Sequence, residues 1–312
     1  MTVARLSGVL APAITPFRPD LSIDSGRFVR HAKWLLSNGC SGLAVFGTNS
    51  EANSLSIEER MMLLDSLVTS GVSAYQLMPG TGCCSLPDTV RLTAHAVKNG
   101  CGGVLMLPPF YYKGVPDEGL YRHFSEVIER VGTAGLRVYL YHIPPVAQVP
   151  ISVPLIERLL KRYEGTVVGI KDSSGDWNNT QAVLDAFGGS NFDVFAGSEA
   201  FLLKNMRSGG VGCISATANV NPGAIHRVFQ NWNQPDADKL QADVSATRAA
   251  IQKVPMIGAL KAILAHYSGD SDWVTVRPPL MELGAEKTPS LIAELDALGF
   301  TMPGLSQLAA QV

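Results

Sequence analysis

Short apolar segments alternate along the chain with longer segments in which apolar residues recur at helical spacing. Eight of the short segments are nearly continuous apolar runs of about four to eight residues, as expected for parallel strands covered on both faces. They are Val9–Thr15, Gly42–Phe46, Tyr75–Pro79, Gly103–Leu107, Arg137–Tyr141, Val167–Ile170, Asp193–Ala196 and Val211–Ser215. Eight strands that alternate with helices predict an α/β fold of the (β/α)8 TIM-barrel type.

The helical segments between these strands have recognisable ends. Ser56 stands three residues before Glu59, which is the spacing of a capping box in the first turn of a helix. Asn38-Gly39 and Asn99-Gly100 are typical helix ends, and each leads into the next strand. Clear examples of these helices are predicted over Ser56–Ser70, Leu86–Asn99, Asp117–Val131 and Val153–Tyr163.

The pattern becomes wholly helical after the eighth strand. Four segments have helical spacing with no strand between them, namely Pro222–Asn233, Ala237–Lys253, Met256–Tyr267 and Ser290–Leu298. The first would complete the barrel, which predicts a (β/α)8 catalytic domain over residues 1–233 and a C-terminal helical region over residues 234–312. A doubly wound sheet is the alternative, but no Gly-x-Gly-x-x-Gly fingerprint follows the first strand.

Charge and composition narrow the class of partner. The formal net charge of the 312 residues is −2, which provides no electrostatic footprint for nucleic acid or for an anionic membrane. No apolar run reaches the roughly 18 residues that a membrane span requires. A small neutral or anionic ligand is therefore the expected partner.

The cysteines and the N-terminal sequence indicate in which cellular compartment the protein is expected. The count of five cysteines is odd, and no pair has the spacing of a zinc site, which predicts free thiols in a reducing cytoplasm and no metal site. The N-terminus superficially resembles a secretion signal, because Arg5 precedes an apolar stretch. Pro12 and Pro16 interrupt that stretch, and the first strand needs the same residues. We therefore expect a cytoplasmic protein.

Candidate catalytic and binding residues lie at the C-terminal ends of the predicted strands. In a TIM barrel the active site is built at the C-terminal ends of the strands. The residues at those ends are Thr48 and Asn49, then Phe110, Tyr111 and Tyr112, then Tyr141, Lys171, Gly197, Ser198, Glu199 and Ser215. A lysine, several phenols and several small polar groups should thus face one mouth of the barrel.

Lys171 is the candidate nucleophile. It follows the uncharged segment Val167–Ile170, and an amine is nucleophilic only in its neutral form, which burial favours. With a 2-oxo acid it would form an imine, whose positive nitrogen accepts electrons from a breaking C–C bond. The alternative is a solvated lysine at a strand end, paired with Asp172.

Tyr141 is the candidate proton relay. Its strand neighbours that of Lys171, so the phenol can reach the amine, shuttle protons and polarise the substrate oxygen. The alternative is a core tyrosine with a satisfied hydroxyl. His142 points to the opposite face by strand alternation, so a structural role is expected for it.

The loop Gly47–Glu51 follows the second strand and is rich in small hydroxyl and amide residues. Its backbone and side-chain donors suit a carboxylate. The alternative is an ordinary turn between a strand and a helix.

Together these segments resemble the dihydrodipicolinate synthase / N-acetylneuraminate lyase family. The chain matches four patterns of the family in order. Gly47–Glu51 resembles Gly-(Thr/Ser)-Thr-Gly-Glu, and Pro109–Tyr111 with Glu118–Leu120 resembles Pro-Tyr-Tyr…Glu-Gly-Leu. Tyr141–Pro144 resembles Tyr-Asn-(Val/Ile)-Pro, and Gly169–Lys171 resembles Gly-(Ile/Val)-Lys. The resemblance covers essentially the whole chain. It implies a class I aldolase or lyase that forms a Schiff base with pyruvate or another 2-oxo acid on a TIM barrel.

The resemblance also implies residue roles. Lys171 would be the Schiff-base lysine, and Tyr141 the proton relay in a hydrogen-bonded triad with Thr48 and with Tyr111, which would reach into a neighbouring subunit's site. The substrate carboxylate would lie on Thr48 and Asn49, whose amide replaces the family's second threonine. The other substrate-binding residues would be Ser173, Gly197, Glu199, Ile214 and Ser215. A homotetramer, built as a dimer of dimers, is implied, with no cofactor beyond the covalent imine at Lys171.

One departure from the family bears on the substrate. Where dihydrodipicolinate synthases have an arginine for the second substrate's carboxylate, this chain has Val146. Losing that contact removes about 1.5–3 kcal/mol of charge-assisted binding. The resemblance to sialic-acid lyases implies instead that Ser173, Glu199 and Ser215 meet substrate hydroxyls. The leading function is therefore cleavage of a 2-keto-3-deoxy sugar acid or a 4-hydroxy-2-oxo acid to pyruvate and an aldehyde. The alternatives are condensation of pyruvate with aspartate semialdehyde, dehydration of a keto-deoxy acid, and non-catalytic binding of a 2-oxo acid.

Overall fold

Seven parallel strands form one curled sheet in the computed structural model, which describes residues 5–189 and 191–305. The strands are β1 (Gly8–Ala11), β2 (Gly42–Leu43), β3 (Val104–Met106), β4 (Val138–His142), β5 (Val167–Asp172), β6 (Asp193–Ala196) and β7 (Gly212–Ile214). Their order is β2-β1-β7-β6-β5-β4-β3, so the first strand β1 lies between β2 and the last strand β7. All of these strands are buried along their whole length, as strands covered by helices must be.

The predicted strand Tyr75–Pro79 closes the ring but is not a regular strand. Leu77 forms a parallel bridge with Leu43 of β2, and Gly80 forms one with Leu105 of β3. Pro79 has no amide hydrogen for a ladder, and its carbonyl accepts from the Leu105 amide at 2.9 Å. A Cβ at Gly80 would lie 2.1 Å from the Phe46 carbonyl oxygen, which shows how closely the two backbones approach. The chain thus folds as a (β/α)8 barrel, as predicted, with one irregular member.

Helices surround the barrel and follow its last strand. They are α1 (Ser25–Ser37), α2 (Ile57–Thr69), α3 (Leu86–Lys98), α4 (Asp117–Val131), α5 (Pro144–Ala147), α6 (Val153–Arg162), α7 (Trp177–Phe187), α8 (Leu202–Arg207), α9 (Pro222–Gln230), α10 (Ala237–Ile251), α11 (Met256–Ser268) and α12 (Thr288–Ala297). Short 3-10 turns span Ala52–Ser54, Ala74–Gln76, Glu199–Phe201, Ala216–Asn219 and Ser271–Val274. The predicted capping box is confirmed, because Ser56 and Glu59 exchange both side-chain hydrogen bonds.

The core has two parts. A small cluster fills the inside of the barrel and consists of Leu6, Leu10, Ala44, Met78, Leu105, Tyr139, Tyr141, Val168, Phe195 and Ile214. The larger cluster lies between the barrel and its helices and extends without interruption into α10, α11 and α12. The division of the chain at residues 233 and 234 stays a prediction.

All five cysteines are free. Within the described ranges, no helix is both long and apolar enough to cross a membrane. The same residues contain no cluster of His, Cys, Asp and Glu side chains that could hold a metal ion.

A buried ion pair ties the C-terminal helices to the loop that follows β2. Glu51 lies in that loop in a left-handed conformation with φ of 55°, and its carboxylate pairs with Lys261 of α11, both side chains being fully buried. The Lys261 ammonium also donates to the Thr275 carbonyl at 2.6 Å. Burial lowers the pKa of Lys261, and the charge of Glu51 opposes that shift. The loop that carries Thr48 and Asn49 is therefore fixed by a residue more than two hundred positions away.

Replacing Glu51 by glutamine should lower the free energy of unfolding by about 3–5 kcal/mol, because it leaves a buried ammonium without its counter-charge. Urea unfolding followed by circular dichroism would measure the change. The double variant Glu51→Gln/Lys261→Met should recover part of the loss, since both charges are then absent. Glu58→Gln is the control, because Glu58 pairs with Arg91 at the surface; a loss in E58Q equal to that in E51Q would contradict the role of burial.

Candidate active site

A β-bulge sets the register between the two strands that carry Tyr141 and Lys171. Val138 of β4 pairs with Val167 of β5, but Tyr139 pairs with Gly169, so that Val168 is an extra residue in β5. Beyond the bulge Tyr141 lies opposite Lys171. Without the extra residue the pairing would shift by one position and turn the lysine to the other face of the sheet.

Lys171 and Tyr141 are in contact inside the mouth of the barrel. Lys171 is 3% exposed and Tyr141 is 2% exposed. The Lys171 Nζ lies 4.2 Å from the centroid of the Tyr141 ring, over its face. The Tyr141 hydroxyl lies 3.2 Å from Thr48 Oγ1 and is hydrogen-bonded to it. The structure thus brings together three of the four residues that the sequence suggests for catalysis.

Asp172 does not neutralise the lysine. Its carboxylate accepts from the Ser174 amide at 2.8 Å, from Asn179 Nδ2 at 2.9 Å and from Thr180 Oγ1 at 2.7 Å. These donors lie on the loop before α7 and in its first turn, so Asp172 anchors that helix. No carboxylate within residues 5–189 and 191–305 forms an ion pair with Lys171, in contrast to the alternative interpretation of a paired strand-end lysine.

Lys171 opens into a cavity of about 280 Å³. The cavity is lined by Thr48, Asn49, Tyr141, Ile143, Lys171, Asp172, Ser173, Gly175, Gly197, Ser198, Phe201, Ala216, Arg248 and Met256. Four of the suggested substrate-binding residues, Thr48, Asn49, Ser173 and Gly197, are in this lining. Gly197 is also needed for packing, because a Cβ there would lie 2.1 Å from Ser173 Oγ.

Glu199, Ile214 and Ser215 lie behind the cavity wall. Ile214 is fully buried in the barrel interior. The Glu199 carboxylate accepts from the hydroxyls of Ser215 and Thr217 and from Arg248 Nη1, the last at 2.7 Å. Both oxygens of Glu199 are therefore already occupied by groups of the protein.

Arg248 is a charged residue of this cavity that the positions of the strand ends did not indicate. It lies on α10, in the C-terminal region, and its Nη1 also lies 3.2 Å from Ser215 Oγ. Val244, Thr247 and Ile251 are buried on the same helix, so Arg248 falls within their stripe at the spacing i, i+3, i+4 and i+7. An arginine inside a buried helical stripe was the one signal in the sequence that could have indicated it.

A comparison with models of known protein families shows to which family the chain is related. The model of the dihydrodipicolinate synthetase family matches residues 5–298. The chain belongs to this family. Its relatives in the family are named as synthases or lyases, and the chain is accordingly an enzyme of the lyase and aldolase type.

Two individual comparisons agree with the family, and a third agrees with the fold. A DapA-like lyase from Chloroflexus aurantiacus is 30% identical, over 95% of this chain and 98% of its own. The structure of dihydrodipicolinate synthase from Agrobacterium tumefaciens superposes with a TM-score of 0.86 at 32% identity, over 94% of this chain and 99% of its own. A Sulfolobus 2-keto-3-deoxygluconate aldolase shares the fold, with a TM-score of 0.84 at 24% identity over 94% and 96% of the two chains.

Tyr111 and Val146, two positions that the family pattern singles out, lie away from the cavity of this chain. Tyr111 is 76% exposed and packs edge-on against Tyr112, with 5.6 Å between ring centroids. Val146 is also exposed, on α5. Neither is among the residues that line the Lys171 cavity.

His142 has the structural role expected from strand alternation. Its Nδ1 accepts a hydrogen bond from the Ile151 amide at 2.9 Å. Burial lowers the pKa of His142, which keeps the ring neutral and able to accept. The residue thus holds the segment after α5 against the outside of the barrel.

Proposed function

We propose that this member of the dihydrodipicolinate synthetase family is a class I lyase. Lys171 forms an imine with pyruvate or another 2-oxo acid, and the enzyme cleaves a 2-keto-3-deoxy sugar acid or a 4-hydroxy-2-oxo acid to pyruvate and an aldehyde. The observation that supports this most is the buried Lys171 amine, which contacts the Tyr141 ring and opens into a cavity.

The reaction begins with attack of the Lys171 Nζ lone pair on C2 of the 2-oxo acid. Tyr141 gives its phenolic proton to the carbonyl oxygen, and the resulting carbinolamine loses water to give a protonated imine. The Tyr141 phenolate takes the proton of the C4 hydroxyl, the C3–C4 bond breaks to release the aldehyde, and the electrons of that bond move toward the imine nitrogen to form the enamine. Tyr141 returns its proton to C3 of the enamine, and water then releases pyruvate from Lys171. No cofactor is needed for these steps.

The loop after β2 supports the orientation of the acid. Thr48 and Asn49 line the cavity beside Tyr141, and their hydroxyl, amide and backbone donors suit the carboxylate next to the reacting carbonyl. The buried ion pair between Glu51 and Lys261 fixes this loop against α11. A rigid loop holds the carbonyl near the amine and so lowers the entropy cost of the attack.

Condensation of pyruvate with aspartate semialdehyde is the second candidate, because Arg248 places a guanidinium in the same cavity. Both functions share the pyruvate imine and differ in the second substrate. Dehydration of a keto-deoxy acid would use the same imine and keep the carbon chain intact. Comparing kcat/KM for cleavage, condensation and dehydration on one preparation separates the three, and a protein that binds 2-oxo acids without turnover would belong to the non-catalytic class.

We further propose that the enzyme assembles as a homotetramer. The exposed Tyr111 would then complete the triad with Thr48 and Tyr141 in a neighbouring subunit. Its exposure and its absence from the lining of the cavity in its own chain support this role in trans. Sedimentation of the purified protein would test the assembly.

Sodium borohydride with pyruvate should add one reduced pyruvyl group to the protein at Lys171, because borohydride reduces the imine to a stable amine. Intact mass and peptide mapping would detect the group, and Lys171→Ala should abolish it. Lys204→Ala is the matched control, since Lys204 also lies over an aromatic ring, 4.6 Å from the Trp177 centroid, but is exposed. An adduct on another lysine, or none with any 2-oxo acid, would refute the Schiff-base mechanism.

Tyr141→Phe should reduce kcat by about 10²–10⁴-fold, the usual contribution of general acid–base catalysis, because the ring stays in place and only the hydroxyl is lost. Steady-state kinetics with the substrate found in the cleavage assay would measure it. Tyr139→Phe removes a phenol from the same strand that is hydrogen-bonded to Asp193 at 3.0 Å, and it should keep most of the turnover. Equal effects of the two variants would mean that Tyr141 acts only through stability.

A further inference from the structure

The Lys171 cavity contains two basic side chains and one acidic one. Lys171 and Arg248 are the basic residues of its lining, and Asp172 is the acidic residue. The Asp172 carboxylate is held by donors at the start of α7. Once Lys171 carries the substrate as an imine, Arg248 is the cationic group left to meet the rest of the molecule.

Only one nitrogen of Arg248 is bound to the protein within the described residues. Nη1 donates to Glu199 at 2.7 Å and lies 3.2 Å from Ser215 Oγ. No other hydrogen bond of the guanidinium is formed with residues 5–189 or 191–305, and its side chain is 17% exposed. A guanidinium offers five N–H donors in a planar fork that matches a carboxylate, so Nε and Nη2 can still donate to a ligand.

A buried network fixes this arginine. Glu199, whose side chain is 1% exposed, accepts from Arg248 and from the hydroxyls of Ser215 and Thr217. Gln241, also on α10, donates a hydrogen bond to the Glu199 backbone carbonyl at 2.9 Å. The guanidinium is thus oriented before any substrate arrives, which lowers the entropy cost of binding.

We infer that Arg248 binds a carboxylate at the aldehyde end of the substrate. The substrate class is then a 4-hydroxy-2-oxo acid that carries a second carboxylate, and the aldehyde product is itself an acid. This inference rests on the proposed imine at Lys171. Arg248 supplies from α10 the positive charge that Val146 does not supply from α5, while Glu199 and Ser215 orient the arginine instead of meeting substrate hydroxyls.

The size of the cavity agrees with such a ligand. Its volume of about 280 Å³ is at the lower limit of common small-molecule sites, which suits a short acid. With Glu199 and Ser215 engaged, Ser173 and Ser198 are the serine hydroxyls left in the lining beyond Thr48. A polyhydroxylated chain would find few partners there, whereas a carboxylate would find a pre-oriented guanidinium.

The test compares two aldehydes of equal carbon number in the synthesis direction. With pyruvate as donor, succinic semialdehyde carries the carboxylate and butanal lacks it, and kcat/KM for each is measured from the amount of aldol product. The wild-type enzyme should prefer the anionic acceptor. Arg248→Met should lower kcat/KM for succinic semialdehyde about 10- to 100-fold more than for butanal, the usual range for one charged hydrogen-bonded contact.

Arg207→Met is the matched control, because Arg207 pairs with Asp238 at the surface; it should leave the preference as it is in the wild type. Arg248→Lys covers the case in which Arg248→Met does not fold. It should also lower the preference for the anionic acceptor, since an ammonium lacks the planar fork, and an unchanged preference would overturn the inference.

The borohydride adduct separates this inference from the proposed function. If Arg248→Met still forms the pyruvyl adduct but loses both acceptors equally, Arg248 does not bind the carboxylate. If the wild-type protein forms no adduct with any 2-oxo acid, the proposed function fails first. An adduct together with a selective loss of the anionic acceptor supports both.

Discussion

The pairing of β4 with β5 is the constraint on which the site depends. One extra residue, Val168, brings Lys171 opposite Tyr141, and a shift of β5 by one position would turn the lysine to the other face of the sheet, away from Tyr141. Gly169 makes this pairing possible, because a Cβ there would lie 2.7 Å from the Tyr139 ring and 2.6 Å from the Asp193 carbonyl oxygen. The Lys171 amine is therefore positioned by backbone geometry, and the Tyr141 ring lies beside it because of the same register.

A second layer of control comes from charges on the C-terminal helices. Lys261 of α11 pairs with Glu51 after β2, and Arg248 of α10 pairs with Glu199 after β6. Each pair joins a loop at the mouth of the barrel to a helix that follows the barrel. Buried ion pairs of this kind contribute little net stability but strongly disfavour arrangements in which one partner is missing. They fix where the loops lie, and so where the ligand groups of the cavity point.

Periodicity alone was enough to predict the barrel, because continuous apolar runs and capped amphipathic helices are local properties of the sequence. The rule that barrel chemistry lies at strand ends was enough to suggest Lys171, Tyr141 and Thr48, which the structure brings together. The irregular segment after α2 and the bulge at Val168 depend on contacts between distant backbones, so no local pattern reveals them. The partners of Glu199 and the location of Arg248 depend on how α10 packs on the barrel, which strand ends cannot indicate.

The two ion pairs have a consequence for the order in which the protein folds during its synthesis. Lys171, Tyr141 and all of the barrel strands leave the ribosome before Arg248 and Lys261 do. Until then Glu51 and Glu199 lack the cations that allow them to be buried, and water must solvate them. A nascent barrel would keep both loops open and would reach its final form only when the last quarter of the chain docks, so Lys171 is enclosed at the end of folding.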